Sequence, residues 1–201
     1  MDKVSYALGM SIANNMLQSG VSEIVFEDFA AAVKTMLAGE KTALSYEEAG
    51  KVLNEFFEKV QDEQAAAQAE VAAKMKEEGE AFLKLNSSKE GVVTLKSGLQ
   101  YKVIKKGDGK KPGPKDQVRC HYEGTLVSGR KFDSSYDRNE PAVFGVNQVI
   151  AGWTEALQLM SEGSLWELYI PYQLAYGEAG AHGAIPPCAA LIFKVELIKV
   201  L

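Results

Sequence analysis

The stretch from Ser45 to Leu85 constrains this chain more than any other. It contains no proline, and all six prolines of the 201-residue sequence lie beyond residue 111. Ser45 and Glu48 have the spacing of a capping box, in which a serine hydroxyl and a glutamate side chain satisfy each other's backbone N–H groups. The spacing therefore predicts a helix that opens at Ser45 and runs to about Leu85. Forty residues of helix span roughly 60 Å. The start of this helix carries Val52, Leu53, Phe56, Phe57 and Val60. From Gln61 to Glu80 only Val71 and Met75 are large and apolar, and Ala81, Phe82, Leu83 and Leu85 then restore an apolar patch. A helix that is polar nearly all round is a solvent-exposed spacer. The pattern predicts two separate cores joined by one helix.

Charge divides the chain in the same way. Residues 1–90 carry 9 Lys and 16 Asp or Glu, whereas residues 91–201 carry 13 Lys or Arg and 11 acids, within a net charge of −5. Neither region has a basic stripe, which argues against nucleic acid as a partner. No run is long and apolar enough for a membrane span. The opening MDKVSYALGMSIANN lacks the charged-then-apolar build of a secretory leader. Cytoplasm is the primary expectation, with periplasm or cell surface the alternative if a leader was removed.

Before the long helix, Val4, Leu8, Ile12 and Met16 repeat at helical period over residues 2–19, and Phe26, Phe29, Ala30, Val33 and Leu37 do so over residues 26–38. Two short helices and one end of a long one make a poor monomeric core. Their stripes are too apolar to be left wet. The expectation is a homodimer through residues 1–60, against the alternative of a three-helix unit closed on itself. The domain expectation is an all-α dimerisation region over 1–44, a connecting helix and linker over 45–90, and a strand-rich domain over 91–201.

Residues 86–98 read as a polar connection. Leu99, Tyr101 and Val103 then alternate with polar neighbours, as a half-buried strand does. Lys105–Lys115, KKGDGKKPGPK, is a loop by its glycines and prolines. In the next strand Val118, Cys120 and Tyr122 share one face, and Arg119, His121 and Glu123 the other. Lys131, Phe132 and Asp133 run into the turn-prone pair Ser134 and Ser135. Val149–Met160, VIAGWTEALQLM, is the one helix here: Trp153, Ala156, Leu157 and Met160 form its stripe, and Gly163 is its expected stop. Leu165–Ile170 is a strand ended by Pro171. A glycine-rich loop over 175–187 contains His182, and Ala189–Leu201 is the last strand.

No nucleophile arrangement or phosphate-cradling loop is visible. Cys120 and His121 point to opposite faces of one strand, so no metal site is expected, and nothing calls for a cofactor. What stands out is a surplus of inward aromatics: Tyr122, Phe132, Phe144, Trp153, Tyr176 and Phe193. Each can be plain core. Asp133 is the carboxylate within reach of them. An apolar cavity with a few fixed polar groups is the usual build of a small-ligand site.

The stretch YEGTLVSGRKFDSSYDRNEPAVFGVNQVIAGWTEALQLMSEGSLWELYIP, followed by LAYGEAGAHGAIPPCAALIFKVELIKV, resembles FKBP-type peptidyl-prolyl isomerases over Gly98–Leu201. The signatures are FDSS, VI-x-GW, AYG and IPP. The first half, with its DKVSYALG opening, resembles the dimerisation arm of the macrophage-infectivity-potentiator branch. The resemblance implies an α+β fold, a half-open antiparallel β-sheet wrapped on a short helix, preceded by an all-α dimerisation arm with a long connecting helix. It implies a pocket walled by Tyr122, Phe132, Val149, Ile150, Tyr176, Ile185 and Phe193, with Trp153 as floor. Phe144 and Ala184 would border it, and Asp133 and Arg138 would match the acidic and basic rim residues. Ligand hydrogen bonds would fall to the Ile150 N–H and the Tyr176 hydroxyl. Implied partners are proline-containing unfolded polypeptides and macrolide inhibitors, and the implied activity is cofactor-free prolyl isomerisation with client holding by the arm. The alternative is a non-enzymatic chaperone on the same fold. Ala142, Ala184, Cys188 and Ala190 depart from the commoner family residues and bear on substrate preference.

Overall fold

The computed structural model describes residues 1–181 and 183–201. His182 lies outside them. Two compact units meet at Ala66/Ala67, inside the long helix, so the segment expected to connect two domains is shared between both.

The first unit, Met1–Ala66, contains α1 (Lys3–Gln18), α2 (Phe26–Ala38) and the start of α3 (Tyr46–Asn86). Each follows the apolar period of its sequence. The Asp2 side chain caps α1 by accepting from the Ser5 N–H at 2.8 Å. Gly39, with φ 68°, ends α2. At α3 the capping box forms as spaced: the Ser45 N–H donates to Glu48 Oε2 at 2.8 Å, and the Glu48 N–H donates to Ser45 Oγ at 3.2 Å. The first of these bonds and the Ser45 hydroxyl hold the Glu48 carboxyl below its ordinary range. Neither α1 nor α2 contains a buried residue. Leu8 is 59% exposed, Phe26 72% and Leu37 85%.

The second unit, Ala67–Leu201, holds the rest of α3 and a sheet of seven strands. These are β1 (Val92–Thr94), β2 (Gln100–Lys105), β3 (Gln117–Leu126), β4 (Lys131–Ser134), β5 (Ala142–Gly145), β6 (Leu165–Ile170) and β7 (Leu191–Val200). The order is β1-β2-β6-β7-β3-β4, with β5 also on β3, and all pairs are antiparallel. β3 is the organising strand. One edge pairs with β7 from Val118↔Val200 to Leu126↔Leu191, and the other is shared by β5 at Gln117–Cys120 and β4 at Glu123–Thr125. That division leaves a gap opposite Tyr122.

α4 (Ala151–Leu159) lies on the sheet and buries Trp153, Ala156 and Leu157 against Val118, Cys120, Leu168, Ile170, Val195 and Leu197. Full burial of one such leucine contributes about 1.5–3 kcal/mol. The helix stops earlier than Gly163. Met160 turns to extended backbone, which keeps its side chain in the core, and the Gly163 N–H instead donates to Leu197 O at 2.7 Å.

Two further readings differ. The connection over 86–98 contains β1, and its first residue, Asn86, is the buried last residue of α3. Asn86 Nδ2 donates to Gln100 Oε1 at 3.0 Å, and Gln100 Nε2 donates to Leu83 O at 2.8 Å. This pair draws the polar Gln100 inside. Beyond it the expected alternation breaks: Val103 is 41% exposed, next to a bulge between Val103 and Lys105. The end of α3 is also packed closely. Gly79 is buried, and a Cβ there would lie 2.9 Å from the Ala190 Cβ. Phe82 meets Tyr169 at 5.9 Å between ring centroids. Among the described residues no helix is long and apolar enough to cross a membrane.

Candidate active site

Ile150 is the N-cap of α4, preceded by a 3-10 turn over Val146–Gln148, and Trp153 follows in the first helical turn. The Ile150 carbonyl accepts from Trp153 N at 2.9 Å and Thr154 N at 3.0 Å. No described residue accepts from the Ile150 N–H. The Thr154 hydroxyl ties helix and turn together by donating to Val146 O at 2.8 Å. Trp153, 3% exposed, is met edge-on by three rings: Tyr122 at 5.5 Å, Phe144 at 5.6 Å and Phe193 at 5.3 Å. Phe132 packs on Phe193 at 5.5 Å and 85°. Edge-to-face pairs of this kind contribute about 0.5–1.5 kcal/mol each beyond buried area. Gly124 makes the cluster possible. A Cβ there would stand 2.6 Å from Phe132 Cζ and 2.7 Å from Phe193 Cε1.

These rings bound a cavity of about 450 Å³ lined by Tyr122, Phe132, Asp133, Phe144, Gln148, Val149, Ile150, Trp153, Tyr176 and Phe193. Its polar corner is a closed triad. The Tyr122 hydroxyl donates to Asp133 Oδ2 at 2.5 Å, Arg138 Nη1 donates to Asp133 Oδ1 at 2.5 Å, and Arg138 Nη2 donates to the Tyr122 oxygen at 2.8 Å. Burial alone would raise the Asp133 pKa, but the bonds from Tyr122 and Arg138 and the guanidinium charge outweigh it and hold the carboxyl below its ordinary range. Burial, reinforced by Asp133, raises the Tyr122 phenol. Both Asp133 oxygens are occupied, so this carboxylate is a poor base.

The gap opposite Tyr122 is filled by Ser135, which is fully buried. The Tyr122 N–H donates to Ser135 Oγ at 2.7 Å, and the Ser135 N–H donates to Tyr122 O at 2.9 Å. On the far face of β3, His121 stacks on Tyr136 at 4.6 Å, and the Tyr136 hydroxyl donates to Glu196 at 3.1 Å. Burial pushes the Tyr136 phenol up to about 12. Cys120 and Cys188 are free, buried thiols, and burial likewise pushes Cys120 to about 12, which leaves it inert.

Of the residues singled out from the sequence, Tyr122, Phe132, Asp133, Phe144, Val149, Ile150, Trp153, Tyr176 and Phe193 line this one cavity, and Arg138 sits behind Asp133. Ala184 and Ile185 are not on the lining. Ile185 packs into the core, and the Ala184 carbonyl accepts from Arg130 Nη2 at 2.8 Å. Gln148, in an irregular turn, had no signal in the sequence; Ser135 stands in the FDSS signature, but its partners are found only across a strand gap. Among the described residues no group of His, Cys, Asp and Glu is placed to hold a metal. A larger cleft of about 540 Å³ lies in the first unit between α2 and the start of α3. It carries Asp28 and Tyr46 but no aromatic cluster or closed hydrogen-bond triad.

A helix-floored aromatic pocket in a sheet of this order defines a class, and the comparisons with known proteins agree. Residues 108–198 match the FKBP-type peptidyl-prolyl cis-trans isomerase family, and residues 1–103 match the domain amino-terminal to FKBP-type peptidyl-prolyl isomerase. The chain is 43% identical over 199 residues to the outer membrane protein MIP of Legionella longbeachae, covering 99% of this chain and 85% of that protein. It is 42% identical over 199 residues to the FKBP-type 22 kDa peptidyl-prolyl cis-trans isomerase of Escherichia coli strain K12, covering 99% and 95%. The crystal structure of FkpA from Escherichia coli superposes with a TM-score of 0.74 at 35% identity, covering 98% of this chain and 95% of that one. The chain belongs to the FKBP-type peptidyl-prolyl cis-trans isomerases, and it is an enzyme of that class with an amino-terminal helical domain. The primary expectation of a cytoplasmic location finds no support among these relatives, one of which is named as an outer membrane protein.

Proposed function

We propose that the 450 Å³ cavity binds a prolyl residue over Trp153 and catalyses its isomerisation by desolvation. Rotation about an X–Pro bond breaks amide resonance against a barrier of about 18–20 kcal/mol. The planar amide is more dipolar than the twisted one. A pocket of aromatic rings therefore destabilises the planar ground state relative to the transition state. Each 1.4 kcal/mol or so of that difference is about tenfold in rate. The observation that carries this reading is the closed Tyr122–Asp133–Arg138 triad: its polar groups satisfy one another and, among the described residues, leave no general acid or base poised at the pocket. In this reading Asp133 holds Tyr122 in place, Phe132, Tyr176 and Phe193 enclose the proline, and the Ile150 N–H takes a substrate carbonyl. Macrolide inhibitors of the family occupy the same cavity.

The client class is unfolded or partly folded polypeptide, and the helical unit serves as a dimeric holding arm. What supports the arm is its exposed stripes, since no residue of α1 or α2 is fully buried within one chain. Patches of that kind mark protein interfaces, and a twofold dimer is the commonest way to cover them. A periplasmic or cell-surface location is the placement that the outer-membrane relative favours. The deciding experiment is isomerisation of a proline-containing peptide by residues 67–201 and by the full chain. Macrolide-sensitive activity is expected in both. A full chain that isomerises no prolyl peptide overturns the catalytic reading, and a full chain that sediments as a monomer overturns the arm.

A further inference from the structure

We infer that the lysine loop between β2 and β3 selects acidic polypeptide clients for the pocket. This rests on the prolyl-isomerase reading and adds a substrate class to it. The loop over 105–115 has five lysines, Lys105, Lys106, Lys110, Lys111 and Lys115, against the single acid Asp108. All five are exposed. Arg119 and Lys199, paired across β3 and β7 at the same end of the sheet, lie on the far face with His121 and do not add to this group. Two nearby carboxylates, each held by a backbone N–H, offset part of this charge. Asp116 Oδ2 accepts from the Gly113 N–H at 2.8 Å, and Glu162 Oε2 accepts from the Val200 N–H at 2.8 Å.

The loop is held in place. The Gly107 N–H donates to Ser164 Oγ at 3.0 Å, the Gly109 N–H to Glu162 O at 3.1 Å, and the Glu162 N–H to Lys110 O at 2.8 Å. The loop backbone is therefore already ordered, and client binding need not order it. The end of the loop also adjoins the pocket. The Val146 N–H donates to Asp116 O at 3.0 Å, and Gln148, which lines the cavity, is two residues further on. At no more than about 3.6 Å per residue, the backbone at Asp116 lies within roughly 10 Å of Gln148. Lys115 is the residue before Asp116, and at low ionic strength, where the Debye length approaches roughly 30 Å at 0.01 M salt, its charge is felt at that range. The pocket's own ions do not compete, since Asp133 and Arg138 neutralise each other. The five lysines still outnumber the three nearby acids, Asp108, Asp116 and Glu162, and a positive field concentrates ligands of opposite sign and speeds their capture.

The test compares kcat/KM on two proline peptides, one flanked by Asp and Glu and one by neutral residues. The enzymes are the full chain and the triple variant Lys110→Gln, Lys111→Gln, Lys115→Gln. At low ionic strength the parent should favour the acidic peptide by about three- to tenfold. The preference should vanish in about 0.5 M salt, where the Debye length is roughly 4 Å, and in the triple variant. Activity on the neutral peptide should stay unchanged, so a dead neutral reaction indicts the isomerase reading, not this one. Equal rates on both peptides at low salt overturn the proposal. So does a triple variant that keeps the preference, or one whose only loss is binding to anionic lipid vesicles, which would assign the lysines to a membrane surface.

Discussion

Replacing Trp153 and Leu157 separately distinguishes a pocket floor from a core filler on the same helix. Leu157 is fully buried, so Leu157→Ala should cost about 2–5 kcal/mol through lost transfer energy and the cavity left behind. Trp153→Ala should cost about 3–5 kcal/mol, including the edge-on contacts to Tyr122, Phe144 and Phe193. Stability therefore does not separate them, whereas catalysis does. A prolyl ring resting on Trp153 loses apolar contact worth about 1.5–3 kcal/mol, which is roughly 10- to 150-fold in kcat/KM. Leu157 is not on the lining, so Leu157→Ala should stay within about twofold of the parent. The measurement is peptide isomerisation at a temperature where denaturant titration shows both variants folded. If folded Leu157→Ala loses as much kcat/KM as Trp153→Ala, the floor assignment is wrong.

Tyr122→Phe removes the donor to Asp133 and should cost about 1 kcal/mol of stability and a comparable, roughly fivefold, share of kcat/KM; Asp133→Leu, which breaks the triad and strands Arg138, should do more, and calorimetry with peptide kinetics checks both. The Asp133 carboxyl lies below its ordinary range in the fold, so its contribution to stability is present above the unfolded value near 4 and lost as pH falls through the lower folded one. Because no proton moves in the reaction, kcat/KM should be flat from about pH 5.5 to 9, and a bell-shaped profile would refute the desolvation mechanism. Residues 91–201 alone should be less stable than residues 67–201 by about 2–3 kcal/mol, or roughly 10 °C in Tm, because the shorter chain loses the cover that Phe82, Gly79 and Asn86 give to Tyr169, Ala190 and Gln100. Equal Tm values would show that the end of α3 is only a tether. Leu8→Glu should shift sedimentation of the full chain from dimer to monomer, since a charge then replaces an apolar contact in the α1 stripe.

Local and periodic features were legible in the sequence. The capping box, the apolar stripes and the absence of proline act within a few residues, and they set the four helices to within a residue or two at most ends. Alternation set the inward face of β3, because a strand shows successive side chains to opposite sides whatever lies beyond it. Motif matching named nine of the cavity's lining residues, since each sits at a fixed offset from FDSS, VI-x-GW or AYG.

Features that depend on long-range partners were decided only by the tertiary structure. Gln100 goes inside because Asn86 and Leu83, which are far from it in sequence, offer its amide partners. Ser135 is buried because β4 and β5 divide one edge of β3 and leave the Tyr122 N–H unpaired there. Ile185 belongs to the core and Gln148 to the cavity, a difference of orientation within irregular backbone that has no period to betray it. The sequence by itself determined which segments are helix and strand, because those follow from the chemistry of neighbouring residues, and its family motifs pointed to the aromatics of the pocket. Which polar groups could be buried, and which charges share one end of the sheet, depended on pairing across the sheet, because a hydrogen bond or a local field exists only once both partners are in place.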